Sequence, residues 1–223
     1  MSLMRALPAL LGLFLLTAAA PRDWSVTATR LPNGAYLVGN PAAKVKLVEY
    51  ASYTCSHCAH FATESKPVLK GAMIRSGSTS LELRHVVRDA LDLSAVVVAR
   101  CGGPAGFARV SDAIFAGQER WLPQGAAYAE TNAARLGSAP LPTRLRALAD
   151  GAGLSAVGRA NGLTDARLAA CFADADDLRK VLALTEATPA SVRGTPAFFV
   201  GGRQAPASDW AGLQPILRAQ GAK

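Results

Sequence analysis

Cysteine is scarce in this chain: there are four in 223 residues, at positions 55, 58, 101 and 171. So few cannot build the dense disulfide framework of a small secreted scaffold. No second Cys-x-x-Cys pair accompanies Cys55 and Cys58. That argues against structural zinc, which draws four ligands, usually from two matched pairs. Aromatic residues make up only 6%, while alanine and glycine abound, a composition that points to many helices with small side chains at their contacts. Acidic residues are outnumbered, 16 against 24 Lys and Arg, for a formal charge of +8. Yet the chain has no long basic run and no alternation of aromatic with basic residues. Nucleic-acid binding is therefore not indicated, and the excess reads as a solvated basic surface. Beyond the N-terminus no apolar run is long enough to span a bilayer.

That N-terminus has a definite layout. Met1 to Arg5 carries one positive charge, Ala6 to Leu16 is apolar, and Thr17-Ala18-Ala19-Ala20 offers small residues for cleavage. Residues 1–20 are expected to be a secretory signal peptide, with an uncleaved anchor as the alternative. Pro21 disfavours a cut directly after Ala20 and favours the bond after Ala19. Export implies a periplasmic location, where disulfides persist.

Along the rest of the chain, residues 20–33 look loosely held. Ala35 to Val38 and Val45 to Tyr50 read as strands, Cys58 to Leu69 as a helix kinked by Pro67, and Leu81 to Val87 as a further strand. From Leu91 to about Ala190 no good strand is found. Pro104 suits a first helical turn, Thr164 a helix start and Gly162 a helix end. Strand-like sequence returns at Ala197 to Val200 and at Arg203-Gln204, across a Gly201-Gly202 turn, and Asp209 to Ala219 reads as a final helix. An α/β sheet domain (residues 21–90 and 191–223) is thus interrupted by an all-helical insertion (residues 91–190).

Cys55-Ser56-His57-Cys58 follows a buried-looking strand and opens a helix. There the first cysteine meets free backbone N–H groups and the positive dipole end, which favour the reactive thiolate. Cys58, one turn on, can resolve a mixed disulfide. His57 can add positive charge or a hydrogen bond at the Cys55 sulfur. Rival assignments are an inert structural disulfide or half a metal site drawing on His60. Glu49 is an acid in an apolar strand: either a partly buried proton acceptor beneath Cys58 or a solvent-facing edge residue. Pro196, just before a strand, makes a rigid turn; a cis bond from Thr195 would set bare backbone beside the dithiol, whereas trans is the usual X–Pro state. Cys101 and Cys171 both have apolar residues one turn earlier. They read as two buried free thiols or as a disulfide stapling the insertion. His85, Trp24, Trp121 and Trp210 read as packing residues.

Lys46 to Tyr50, Cys55-Ser56-His57-Cys58, and Gly194-Thr195-Pro196-Ala197-Phe198-Phe199 through Gly202 together resemble the DsbA-like thioredoxin-fold proteins, over residues 35 to the end. The resemblance implies an α/β thioredoxin-like fold with an inserted all-helical domain. It makes Cys55 the nucleophile, Cys58 the resolving cysteine, Glu49 the buried acid, Pro196 the cis-proline and Thr195 the variable residue before it. His57 matches the best-known DsbA motif. Ser56 departs from the proline usual there. Thr195 departs from the valine of the best-known oxidases and is shared with isomerase relatives. The implied function is to introduce disulfides into exported proteins, with isomerase or reductase, a non-catalytic unfolded-protein module and a metal-delivery protein as alternatives. No metal or organic cofactor is expected. The expected partners are unfolded or reduced exported proteins and a membrane quinone-linked reoxidant, with the chain acting as a monomer.

Overall fold

The computed structural model describes residues 22–223; the expected leader, residues 1–20, lies outside the described residues. A 3₁₀ turn at Trp24–Val26 leads into β1 (Ala28–Arg30), followed by β2 (Tyr36–Gly39) and β3 (Val45–Ala51). Of the stretch expected to be loose, the described residues 22–33 are therefore ordered structure. Its cause is a missed hairpin signal: Asn33 Oδ1 accepts from the Ala35 N–H at 2.9 Å, Gly34 takes a positive φ of 90°, and β1 then pairs antiparallel with β2.

Next come α1 (Ser56–Ser65), a π-helical stretch (Lys66–Ile74) and β4 (Thr79–His85). Pro67 falls in the first turn of the π stretch, where its missing N–H leaves no broken ladder. The helical run consequently continues past Leu69, where the sequence suggested its end.

Eight helices fill the segment before the sheet resumes: α2 (Ala90–Cys101), α3 (Gly103–Ala116), α4 (Gln118–Thr131), α5 (Ala133–Ser138), α6 (Leu141–Gly151), α7 (Leu154–Ala160), α8 (Asp165–Ala173) and α9 (Ala175–Glu186). The chain closes with β5 (Ala197–Val200), β6 (Arg203–Gln204) and α10 (Trp210–Ala219). Local chemistry explains several boundaries. Thr164 caps α8 by accepting from the Arg167 N–H, Asp209 caps α10 through the Gly212 N–H, and Pro104 sits in the first turn of α3.

The six strands run in the order β1-β2-β4-β3-β5-β6. β3 is central, parallel to β4 with Glu49 opposite Leu83, and antiparallel to β5 with Glu49 opposite Phe198. Strand alternation puts Val45, Leu47, Glu49 and Ala51 on one face, all buried. On that face Phe61 of α1 packs against Phe198 of β5, ring centroids 4.5 Å apart. Helix α2 is the axis of the helical block, with every residue from Leu91 to Cys101 buried. Cys101 and Cys171 form a disulfide joining α2 to α8, their Cα atoms 5.7 Å apart, so free thiols give way to a staple between two inward-facing helix surfaces. Arg100 beside it is buried, donating to Asp177 Oδ2 of α9 at 2.7 Å and to the Gly34 carbonyl at 2.8 Å. Trp121 and Trp210 are buried. Buried His85 lies 4.8 Å from the Tyr53 ring; burial, with help from the Arg100 charge, holds its pKa down to about 3.

Candidate active site

Cys55 is the N-cap residue of α1, with extended backbone and no side-chain cap bond. Its sulfur therefore lies where the first helical N–H groups are unpaired by the helix itself. Both Cys55 and Cys58 are free thiols and buried. The neighbouring Cys58 thiol, the Thr195 side chain and the helix-start N–H groups of Cys58 and His57 outweigh burial and bring the Cys55 pKa down to about 4. Cys58 is pushed strongly the other way, by its bond to the Cys55 sulfur, by burial and by the charge of Glu49. Two thiols one helical turn apart thus have opposite character.

The Thr195–Pro196 peptide is cis, and the Thr195 carbonyl lies 3.2 Å from Cys55 Sγ. Pro196 is buried and Thr195 partly so. The His57 ring is exposed; the part of this residue that helps lower the Cys55 pKa is its backbone N–H. His60 is also exposed and pairs with Glu64 at 3.1 Å.

Glu49 is 4% exposed and faces a small cavity of about 20 Å³ walled by Phe61, Leu69, Lys70 and Phe115. Its Oε1 finds no hydrogen-bond partner among the described residues. Burial raises its pKa to about 8, against the opposing charge of Lys70. Lys70 is lowered to about 8, again by burial first, and its ammonium pairs with Asp112 of α3. A carboxyl that is neutral for part of the time near neutral pH therefore sits below the dithiol.

Three residues of the helical block hold the loop before Cys55, and sequence reasoning missed all three. Asp92 Oδ2 accepts from Ser52 Oγ at 2.7 Å and from the Arg88 N–H at 3.1 Å, while Oδ1 accepts from the Tyr53 N–H at 2.9 Å. Buried Gln118 donates to the Tyr53 carbonyl at 2.6 Å and to the Cys55 carbonyl at 2.9 Å. The Tyr53 hydroxyl donates to Ser111 Oγ at 2.8 Å. Burial raises Asp92 to about 6 despite these bonds. Asp92 had a visible signal, a lone acid between Leu91 and Leu93, the same anomaly that marked Glu49. Nothing in the sequence around Gln118 distinguishes it.

A thioredoxin family model matches residues 32–219. A protein-disulfide isomerase from Novosphingobium aromaticivorans is 34% identical, with a TM-score of 0.76 over 86% of this chain and all of that one (100%). The α-DsbA1 of Wolbachia pipientis is 20% identical, with a TM-score of 0.65 over 85% of this chain and 92% of its own, a likeness of fold. A Rickettsia bellii (strain RML369-C) chain named as a protein-disulfide oxidoreductase is 28% identical over 171 residues, 75% of this chain and 57% of that relative. The chain thus spans little more than half the length of the curated relatives it matches. On the family match, the central sheet and the helical block between β4 and β5, this chain belongs to the thioredoxin family, with the DsbA-like architecture.

Proposed function

We propose that the chain is an exported thiol–disulfide oxidoreductase that gives its Cys55–Cys58 disulfide to reduced proteins. The observation that carries this assignment is the opposed pair of thiols, Cys55 brought down to about 4 and Cys58 pushed far up. A thiolate favoured by the polar groups around it gains from them only while reduced; tied in a disulfide it forfeits that gain. The disulfide is then the less stable form and is readily handed on.

In the proposed cycle a substrate thiolate attacks Cys55 Sγ. A bond forms between substrate sulfur and Cys55, the Cys55–Cys58 bond breaks, and its electron pair leaves on Cys58. That sulfur is strongly basic and needs a proton. Glu49, partly protonated near neutral pH, supports a role as its donor. A second substrate thiolate then attacks the substrate sulfur of the mixed disulfide and expels Cys55 as a stabilised thiolate. The substrate is oxidised by two electrons and the protein reduced by two. The Thr195 carbonyl and Pro196 flank the reacting sulfur and would border the bound substrate. Reoxidation falls to a membrane quinone-linked partner, and the periplasm is the proposed location, on the strength of residues 1–20. The chain is proposed to act as a monomer.

One observation favours a second assignment: the neighbour that is 34% identical carries an isomerase name. Oxidised protein mixed with a reduced, unfolded substrate separates the two. Rapid disulfide transfer supports the oxidase. Poor transfer together with efficient unscrambling of a wrongly paired substrate, or efficient insulin reduction, would replace it.

A further inference from the structure

Beside Cys55 lies an open groove of about 550 Å³, bordered by Thr54, Cys55 and His57 on one side and by Arg88, Gly194 and Thr195 on the other. Arg88 is the only arginine or lysine among its lining residues, and no carboxylate lines it among the described residues. The Arg88 side chain is exposed, and its one hydrogen bond among the described residues runs from Nη1 to the Thr54 carbonyl, long at 3.4 Å. A guanidinium has five N–H donors in a planar fork, so most of this one's donors are left without a protein acceptor among the described residues.

Its place is fixed from behind. The Asp92 carboxylate that accepts from Ser52 and Tyr53 also accepts from the Arg88 backbone N–H. One buried group therefore sets both the loop that carries Cys55 and the residue that carries the guanidinium. The acid next in sequence, Asp89, is turned to another task, capping α2 through the Asp92 N–H. The backbone that carries the guanidinium is thus anchored at the edge of the groove that Cys55 lines, and among the described residues no carboxylate pairs with the Arg88 side chain.

We infer that Arg88 is a specificity-determining residue, a subsite for a carboxylate side chain next to the reacting cysteine of a protein substrate. The inference rests on the disulfide-exchange function proposed above and adds to it a substrate class: cysteines flanked by Asp or Glu. A planar carboxylate matches the guanidinium fork in two-point geometry, and a lysine in the same place meets like charge.

Three short peptides differing only in the residue beside their single cysteine, Glu, Gln or Lys, test this. The rate at which each forms a mixed disulfide with the oxidised protein is measured at low ionic strength, normalised to thiolate content. For the wild type the Glu peptide should react about fivefold faster than the Lys peptide, the size expected of one exposed charge pair. In Arg88→Ala that ratio should collapse towards unity, and in Arg88→Glu it should invert. Arg88→Lys should keep part of it, because charge survives where the fork does not. A ratio unchanged in Arg88→Ala and Arg88→Glu overturns the inference while leaving the exchange function standing. If the wild type does not react with even the Gln peptide, the exchange function falls and this subsite with it.

Discussion

Asp92, near the start of α2, accepts a hydrogen bond from the Tyr53 backbone N–H at 2.9 Å, across 39 residues of sequence. The helical block therefore does more than sit on the sheet: one of its buried carboxylates holds the loop that ends at Cys55. Removing it leaves the Ser52 hydroxyl and two backbone N–H groups without their acceptor. Asp92→Ala should cost about 3 kcal/mol in urea unfolding. Asp92→Asn, which keeps one acceptor oxygen, should cost less. Both should raise the Cys55 pKa by loosening the loop, and an unchanged thiolate titration in a folded Asp92→Ala protein would refute that coupling.

The Cys55 thiolate is directly visible by its ultraviolet absorbance. Reduced wild type should titrate near 4 rather than at the ordinary 9. Because the folded-state value is depressed, the stabilisation it brings to the reduced form is complete only above about pH 9 and is lost as pH falls through about 4. At neutral pH the reduced protein should therefore melt above the oxidised one, with the gap closing towards pH 4. Oxidised protein that is the more stable of the two at pH 7 would contradict this.

Glu49 has the opposite sign. Burial raises its folded-state value from the ordinary 4.5 to about 8, so the neutral carboxyl favours the fold. That contribution is complete below about pH 4.5 and lost as pH rises through about 8. Glu49→Gln should accordingly gain on wild type by on the order of 4 kcal/mol between about pH 4 and pH 8, measured as paired unfolding curves. In exchange assays the same variant should slow mixed-disulfide formation, since Cys58 then leaves without its proton donor.

Substitution of the two thiols should separate their roles. Cys55→Ser should abolish disulfide transfer. Cys58→Ser should accumulate a covalent adduct with a disulfide-bonded substrate, the Cys55 thiolate attacking that disulfide and expelling one substrate thiolate, seen as a mass shift reversed by a small thiol. An adduct on Cys58 in the Cys55→Ser protein would reverse the assignment.

The Cys101–Cys171 bridge closes a separation of 70 residues. Cys55→Ser/Cys58→Ser protein purified without reductant should show no free thiol after denaturation. Cys101→Ser/Cys171→Ser should lose about 4 kcal/mol, the scale of loop-closure entropy for such a span.

Much of the fold was legible because its signals are local. A partly β-branched run marked β3 and the apolar Ala197-Phe198-Phe199-Val200 stretch marked β5, while Thr164, Asp209 and Pro104 marked helix starts through chemistry that acts within four residues. The dithiol at a helix start was legible for the same reason. What escaped was either a short signal passed over, as with Asn33-Gly34 and β1, or contact between distant segments. Asp92, Ser111 and Gln118 reach the active-site loop from helices 39, 58 and 65 residues away from Tyr53. Periodicity shows which side of a helix is buried but not what it is buried against. The imidazole of His57 illustrates the converse: its place in the motif drew attention to the ring, whereas the ring is exposed and it is the backbone N–H that helps lower the Cys55 pKa.

Helix α2 ties together features at both ends of the fold. Asp92 near its start grips the catalytic loop, and Arg100 and Cys101 at its end are bound to α9, to the β1–β2 turn and to α8. Such a rod has no free end at which to fray. Its amides should exchange with solvent only when the whole molecule opens, so that sheet and helical block form one cooperative unit, not two. A disulfide passing through Cys55 would then be handled on a rigid anvil, with the yielding left to the unfolded substrate.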